Sequence, residues 1–223
     1  MKVRGTRWRP RYDPRGTMKI LHVGATGTVG TAIASALEGE GDEVVRVGYS
    51  SGDRTVDLGN PGSVRSLLSA VGPLDGVVCS AGVARFGALE DLDDAAFQAS
   101  LDNKLMGQVN LVRFGLEHVR EGGSFTLTTG TLSTKPTPGA AAVAMVGGAV
   151  ESFVRAAALD LQGRYRVNAV SPGWVVESRQ ASGLPPMPGI WASDLARYYV
   201  ATVHGTVTGR ILEAEGPLAS DVA

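Results

Sequence analysis

From residue 18 onward the chain alternates between two hydrophobic rhythms. Short apolar runs of strand length are "KILHV" at 19–23, "EVVRVG" at 43–48, "LDGVVCSAG" at 74–82, "SFTLTTG" at 124–130, "RVNAVSP" at 166–172 and "GRILEAEG" at 209–216. Between them, apolar positions recur with helical spacing over 28–41, 61–72, 93–103, 105–123, 139–163 and 193–205. Pro61 and Gly72 bracket one of these segments as a helix start and stop. Strands alternating with helices of this length imply right-handed crossovers and a parallel sheet covered on both faces. The expectation is a single α/β domain over 18–223, doubly wound, with three αβα layers. One long stretch breaks the rhythm, "WVVESRQASGLPPMPGIWAS" at 174–193, and a loop of that length predicts a lid or substrate loop.

Composition narrows the class. The 223 residues suit one domain, and 43% apolar with 19% charged residues describes a globular chain. Cys79 is the only cysteine, so no intramolecular disulfide is available, and its apolar run predicts a buried thiol. His22, His118 and His204 fall on three different predicted elements and make no metal-ligand spacing with it, so no metal is expected. Residues 1–17 carry +5 and the remainder −6. The basic stretch reads as a disordered leader, or as sequence upstream of a natural start at Met18. No aromatic platform follows it, so no nucleic acid is expected. No apolar signal region precedes the fold and no stretch is expected to span a bilayer, which points to a cytoplasmic protein with no membrane partner.

The chemistry begins at "VGATGTVG". Gly24, Gly27 and Gly30 stand between the first predicted strand and helix. Glycines there let a backbone approach a pyrophosphate, and the helix N-terminus offers free N–H groups and a positive dipole end. The same turn contains Thr26, Thr28 and Val29. A tight turn without a ligand is the alternative. After the second strand, an acidic residue would bind a ribose 2′-hydroxyl and favour NAD(H). Here Tyr49, Ser50 and Ser51 follow, with Arg54 nearby, a set suited to a 2′-phosphate and hence to NADP(H).

From Lys19 to about Pro217 the chain resembles the short-chain dehydrogenase/reductase family, whose fold is a Rossmann-like sheet. "GATGTVG" is similar to the family's glycine motif, "VDL" to the segment whose Asp, here Asp57, contacts adenine, and "CSAG" to "NNAG", with Ser80, Ala81 and Gly82 in place. "RVNAVSPGWV" is similar to the segment around the nicotinamide end, with Pro172, Gly173 and Val175. The resemblance implies an NADP(H)-dependent oxidoreductase of a small carbonyl or alcohol substrate. It also implies a homodimer or homotetramer through the helices around 105–120 and 140–162.

The family's proton-handling set is another matter. Its helix reads like "PGAAAYAASKAAVEG", and this chain reads "PGAAAVAMVGGAVES". Val143 thus stands at the usual Tyr position and Gly147 at the Lys position. Gly130 stands at the Ser position, between Thr129 and Thr131, and Lys104 at the Asn position. The chain is similar in this to a subgroup that keeps the glycine motif and lacks those residues. Lys104 becomes the candidate acid or replacement cation, with Thr129 and Thr131 as candidates to orient a carbonyl. A salt-bridged Lys104 and plain strand threonines are the structural alternatives. Two other functions stay open: a non-redox enzyme of isomerase or cyclase type, or an inactive NADP(H)-binding sensor or partner protein. Tyr198 and Tyr199 are expected to pack, Trp174 and Trp191 to line a pocket or an interface, and Gly148 to permit close helix packing.

Overall fold

A computed structural model describes residues 16–218. The basic segment expected at 1–17 lies outside them except for its last two residues. Strand β1 (Lys19–Val23) leads through a glycine turn into α1 (Thr28–Gly39), then β2 (Glu43–Gly48) and a two-residue β3 (Arg54–Thr55). Helix α2 (Pro61–Val71) has its start fixed by Asn60, whose side-chain oxygen accepts from the N–H groups of Gly62 and Ser63. Then come β4 (Leu74–Cys79), α3 (Asp94–Ser100), α4 (Gly107–Gly115) and β5 (Val119–Thr128). The chain closes with α5 (Ala141–Asp160), β6 (Arg166–Pro172), α6 (Val176–Ala181), α7 (Ala192–His204) and β7 (Ile211–Ala214).

The strands form one parallel sheet in the order β3-β2-β1-β4-β5-β6-β7. This is the Rossmann-like α/β fold. Alternation along each strand divides the core in two. On β1, Leu21 and Val23 face the layer of α2, α4 and α5, where Leu68, Leu111, Val150 and Val154 are buried. Ile20 faces the layer of α1 and α7, with Ile33, Leu37, Leu195 and Tyr199. The chain leaves β1 toward β2 and resumes at β4 on its other side, so a crevice opens where the two βα connections part. Ligands of open α/β sheets bind in such crevices.

Four expectations need correcting. The helix expected over 105–123 ends at Gly115, and "VREGG" already belongs to β5. The N–H of Leu74 donates to the carbonyl of His118, which sets Val119 beside Leu74. Gly122, at φ +91°, and a register shift between Leu74 and Gly76 absorb the extra residues before Ser124 pairs with Gly76. The predicted break near 104 is instead a π-helical turn, Leu101–Met106, that joins α3 to α4. The 174–193 stretch contains α6 and a bridge between Val175 and Ile190. Finally, α5 has the length and composition to cross a bilayer, contrary to the expectation from the sequence. In this fold it packs on the sheet, with Val146, Val150 and Val154 fully buried.

The two glycines inside α5 differ. A Cβ on Gly147 would lie 3.3 Å from Ser133 Cβ and 3.4 Å from Thr129 Oγ1, so Gly147 permits a close approach. A Cβ on Gly148 would meet nothing within 4 Å, so the close packing expected there is absent. Gly148→Ala should therefore stabilise the protein by about 0.5–1 kcal/mol in chemical denaturation, because alanine costs a helix less than glycine.

Candidate functional site

The C-terminal ends of β1 and β4 lie side by side in the sheet, with Val23 paired to Cys79. Gly24, the first residue after β1, has φ +99°, and a Cβ there would sit 2.7 Å from Ala81 N and 2.7 Å from Ser80 Oγ. Gly30, in the first turn of α1, lies so close to the glycine turn that a Cβ would fall 1.8 Å from the Gly24 carbonyl oxygen. These contacts hold the N-terminus of α1 against the ends of β1 and β4. Gly27 caps the helix without a side-chain hydrogen bond, and its first turn contains no acidic residue. The free N–H groups and positive end of the dipole are left for an anion.

Two cavities run along this edge. The first, about 410 Å³, is lined by Gly24, Thr26, Gly27, Tyr49, Ser80, Ala81 and Gly82, with Val56, Leu58 and Asn103. Thr28 and Val29 open α1 beside it, and Ser50, Ser51 and Asp57 are exposed near its rim. Asp57 Oδ1 accepts from the N–H of Gly59 at 2.9 Å, which holds the carboxylate in its turn. The second cavity, about 280 Å³, is lined by Lys104, Thr129, Gly130, Thr131, Val143 and Gly147, with Pro172, Gly173 and Trp174. Gly82 lines both. Val175 is buried and pairs with Ile190 rather than lining the cavity. Tyr198 and Tyr199 are buried on α7, whereas Trp191 is half exposed at the start of that helix.

Lys104 owes its position to the π turn. Gly82 has φ +125°, and a Cβ there would lie 2.7 Å from Lys104 Cδ, so the lysine stem lies against bare backbone. Asn103 Oδ1 accepts from Val83 N at 2.8 Å, and Ser100 Oγ accepts from Arg85 N at 3.0 Å, which pins the 83–88 loop to the turn. Gln108 bonds the Lys104 carbonyl and both backbone groups of Thr128, clamping α4 to the end of β5. The Lys104 ammonium makes no ion pair or hydrogen bond among the described residues. Burial pulls its pKa below the ordinary lysine value, opposed by the nearby Cys79. A desolvated lysine of this kind holds its proton less tightly and is suited to proton transfer.

The two threonines differ as well. Thr129 Oγ1 donates to Glu151 Oε1 at 3.0 Å and accepts from Gly130 N, so its hydrogen is already committed. Thr131 Oγ1 makes no hydrogen bond among the described residues and remains available to the cavity. Glu151 was not singled out from the sequence. It is buried on α5, accepts from Thr129 and Ser133 and pairs with Arg155 at 3.3 Å. The signal was present: a carboxylate on an apolar helix at i+4 and i+8 from Gly147 and Val143.

Beneath the glycine turn, His22 is fully buried, with Nε2 2.8 Å from Ser80 Oγ. Burial foremost, and then the charge of Arg46, pushes the His22 pKa from 6.5 down to about 3. The unfolded chain binds a proton near pH 6.5, and the folded chain does so only near 3. Stability should therefore fall on acidification through that window, by about 1.4 kcal/mol per pH unit from this group. Urea midpoints of wild type and His22→Gln between pH 7 and 4 would test this. Parallel pH profiles would contradict it.

The comparisons with known proteins agree with this geometry. A family model described as enoyl-(acyl carrier protein) reductase matches residues 54–204. The versicolorin reductase stcU of Emericella nidulans is 33% identical over 178 residues, covering 69% of this chain and 67% of that protein. The crystal structure of lin1944 from Listeria innocua is 36% identical, with a TM-score of 0.84 over 88% of this chain and 99% of that one. A small-chain dehydrogenase solved in complex with NADPH is 27% identical, with a TM-score of 0.79 over 90% of this chain and 97% of that one. With its parallel sheet, its glycine turn at the crevice and these relatives, the chain belongs to the short-chain dehydrogenase/reductase family.

Proposed function

We propose that the protein is an NADP(H)-dependent oxidoreductase acting on a small carbonyl or alcohol substrate, with Lys104 and Thr131 as its polar contacts to the reacting oxygen. The observation that carries this reading is the Lys104 ammonium, unpaired among the described residues, in a cavity where Val143 and Gly147 can supply no proton. The first cavity suits the adenosine and pyrophosphate part of a dinucleotide: its glycine turn leaves room for a backbone-close pyrophosphate, and the N-terminus of α1 faces it without a competing carboxylate. Tyr49, Ser50 and Ser51 suit the 2′-phosphate end, whereas Arg54 lines a separate hollow with Lys19 and Glu43 and donates to the Asp53 carbonyl. Asp57, Ser80, Ala81 and Gly82 suit the adenosine half, and Pro172 and Gly173 the nicotinamide end. The relative solved with NADPH supports that choice over NAD(H). When bound, the nicotinamide supplies or accepts a hydride. The chain's part is to orient the carbonyl and move the proton. In reduction, Lys104 Nζ–H donates to the carbonyl oxygen as negative charge develops there, and Thr131 Oγ–H stabilises the same oxygen. Ala84, Phe86, Leu132, Val143 and Trp174 wall the cavity, which favours a substrate with an apolar body around its carbonyl.

The family resemblance supports a second reading, since the usual Tyr and Lys positions are occupied by Val143 and Gly147. In that reading the chain is an atypical member with non-redox chemistry or a binding role. A panel of carbonyl compounds and alcohols, followed at the nicotinamide absorbance, separates the two. Substrate-dependent NADPH oxidation supports the oxidoreductase. Turnover without NADPH consumption indicates an isomerase or cyclase, and binding without turnover a sensor. We also propose that α4 and α5 meet a second copy of the chain, and a light-scattering mass of one chain would remove that assignment.

A further inference from the structure

His22 lies on β1, an interior strand beside the crevice, with its ring entirely enclosed. One ring nitrogen, Nε2, is 2.8 Å from Ser80 Oγ, and the other, Nδ1, has no hydrogen-bond partner among the described residues. The ring stays neutral well below working pH. A neutral imidazole carries one N–H and one bare nitrogen, so two arrangements are possible. In one, Ser80 donates to a bare Nε2 and a Nδ1–H is stranded in the interior. In the other, Nε2–H donates to Ser80 and Nδ1 leaves only a lone pair unmatched. Proteins rarely bury an orphan N–H, and unmatched lone pairs are tolerated more often. The second arrangement is therefore favoured, and it has an outward consequence. Ser80 then accepts from His22, and its own hydrogen has no acceptor among the described residues. Ser80 lines the first cavity, directly under the glycine turn, where its Oγ would touch a Cβ on Gly24 at 2.7 Å.

We propose that His22 is a positioning residue that makes Ser80 a hydrogen-bond donor toward an oxygen of the bound dinucleotide. The inference rests on the reading of the first cavity as a dinucleotide site. A hydrogen-bond chain runs from the buried ring, through the serine hydroxyl, to the ligand. Each member orients the next, and water is excluded from the inner link.

Nitrogen-15 NMR of the histidine rings tests the first link, with the His22 signals identified by their loss in His22→Gln. The free protein should show the Nε2–H tautomer, and NADPH should shift the Nε2 and Hε2 resonances. Fluorescence titration with NADPH tests the second link. Ser80→Ala and His22→Leu should each weaken binding about ten-fold, as expected for loss of a hydrogen bond to a charged or strongly polar acceptor. The double variant should be no weaker than either one. His22→Gln, which keeps an amide donor at a similar reach, should restore most of the affinity. A Nδ1–H tautomer in the free protein would overturn the proposal even if His22→Leu failed to fold. So would wild-type affinity in folded His22→Leu. Failure of the wild type to bind NADPH would remove the cofactor reading and this inference together. Binding with unmoved His22 resonances would remove this inference alone.

Discussion

Lys104→Met should lower kcat for carbonyl reduction by about 10²- to 10⁴-fold, the range over which a positioned general acid acts. Methionine keeps an apolar stem against Gly82 and deletes only the charge and its protons. The variant should fold at least as well as the wild type, because a desolvated and unpaired ammonium contributes nothing favourable to the native state. Its pH profile supplies a second readout. On the proposed reading, the protonated amine is the active form in the wild type. The reduction rate should therefore fall as pH rises through the Lys104 pKa, which burial holds below the ordinary 10.5. That limb should vanish in the variant. Lys104→Arg retains the cation with a guanidinium that does not release its proton, so it should keep the affinity for substrate while losing most of kcat. A Lys104→Met enzyme with wild-type kcat would exclude the lysine as the acid and return attention to Thr131 or to water.

Gly30→Ala carries the other large effect. The added methyl carbon would lie 1.8 Å from the Gly24 carbonyl oxygen, 2.6 Å from its carbonyl carbon and 2.9 Å from Ala25 Cα. All three atoms are backbone, so no flexible side chain can yield. Helix α1 must move away from β1, and the glycine turn must move with it. We expect a loss of about 3 kcal/mol or more in urea denaturation, at the upper end of overpacking costs. We also expect NADPH binding to fall below detection in a fluorescence titration. A folded Gly30→Ala protein that binds NADPH normally would show that the turn does not form the cofactor cradle.

The sequence made most of the scaffold legible because the longer strands and helices show their own period, whereas the two-residue β3 and the six-residue α6 are too short to do so. The glycine turn was legible for the same reason, since its position between a strand and a helix gives it a meaning that three glycines alone lack. The start of β5 was not. "EHVREGG" has a charge pattern that continues a helix, and its strand state is settled by pairing with Leu74, a contact from another part of the chain. The π turn was hidden too, because an extra residue in a helical turn leaves no mark on an apolar pattern already interrupted by Asn103 and Lys104. Gly147 and Gly148 are chemically identical neighbours, and only the packing of Ser133 and Thr129 against one of them separates their roles. Thr129 and Thr131 looked equivalent in the strand end until Glu151 claimed the first.

Gly82 belongs to the walls of both cavities, and Lys104 lies against it at their junction. A partition shared in this way has a kinetic consequence. On the proposed reading, a substrate arriving before the dinucleotide would meet a cavity bordered by an empty groove, whereas one arriving after it would meet a filled wall. Addition should then be compulsory-ordered, with the dinucleotide leading and leaving last. A dead-end analogue of the carbonyl substrate would show uncompetitive inhibition against NADPH. The same adjacency would make tight abortive complexes, oxidised cofactor with unreacted carbonyl, the main source of substrate inhibition at high concentration.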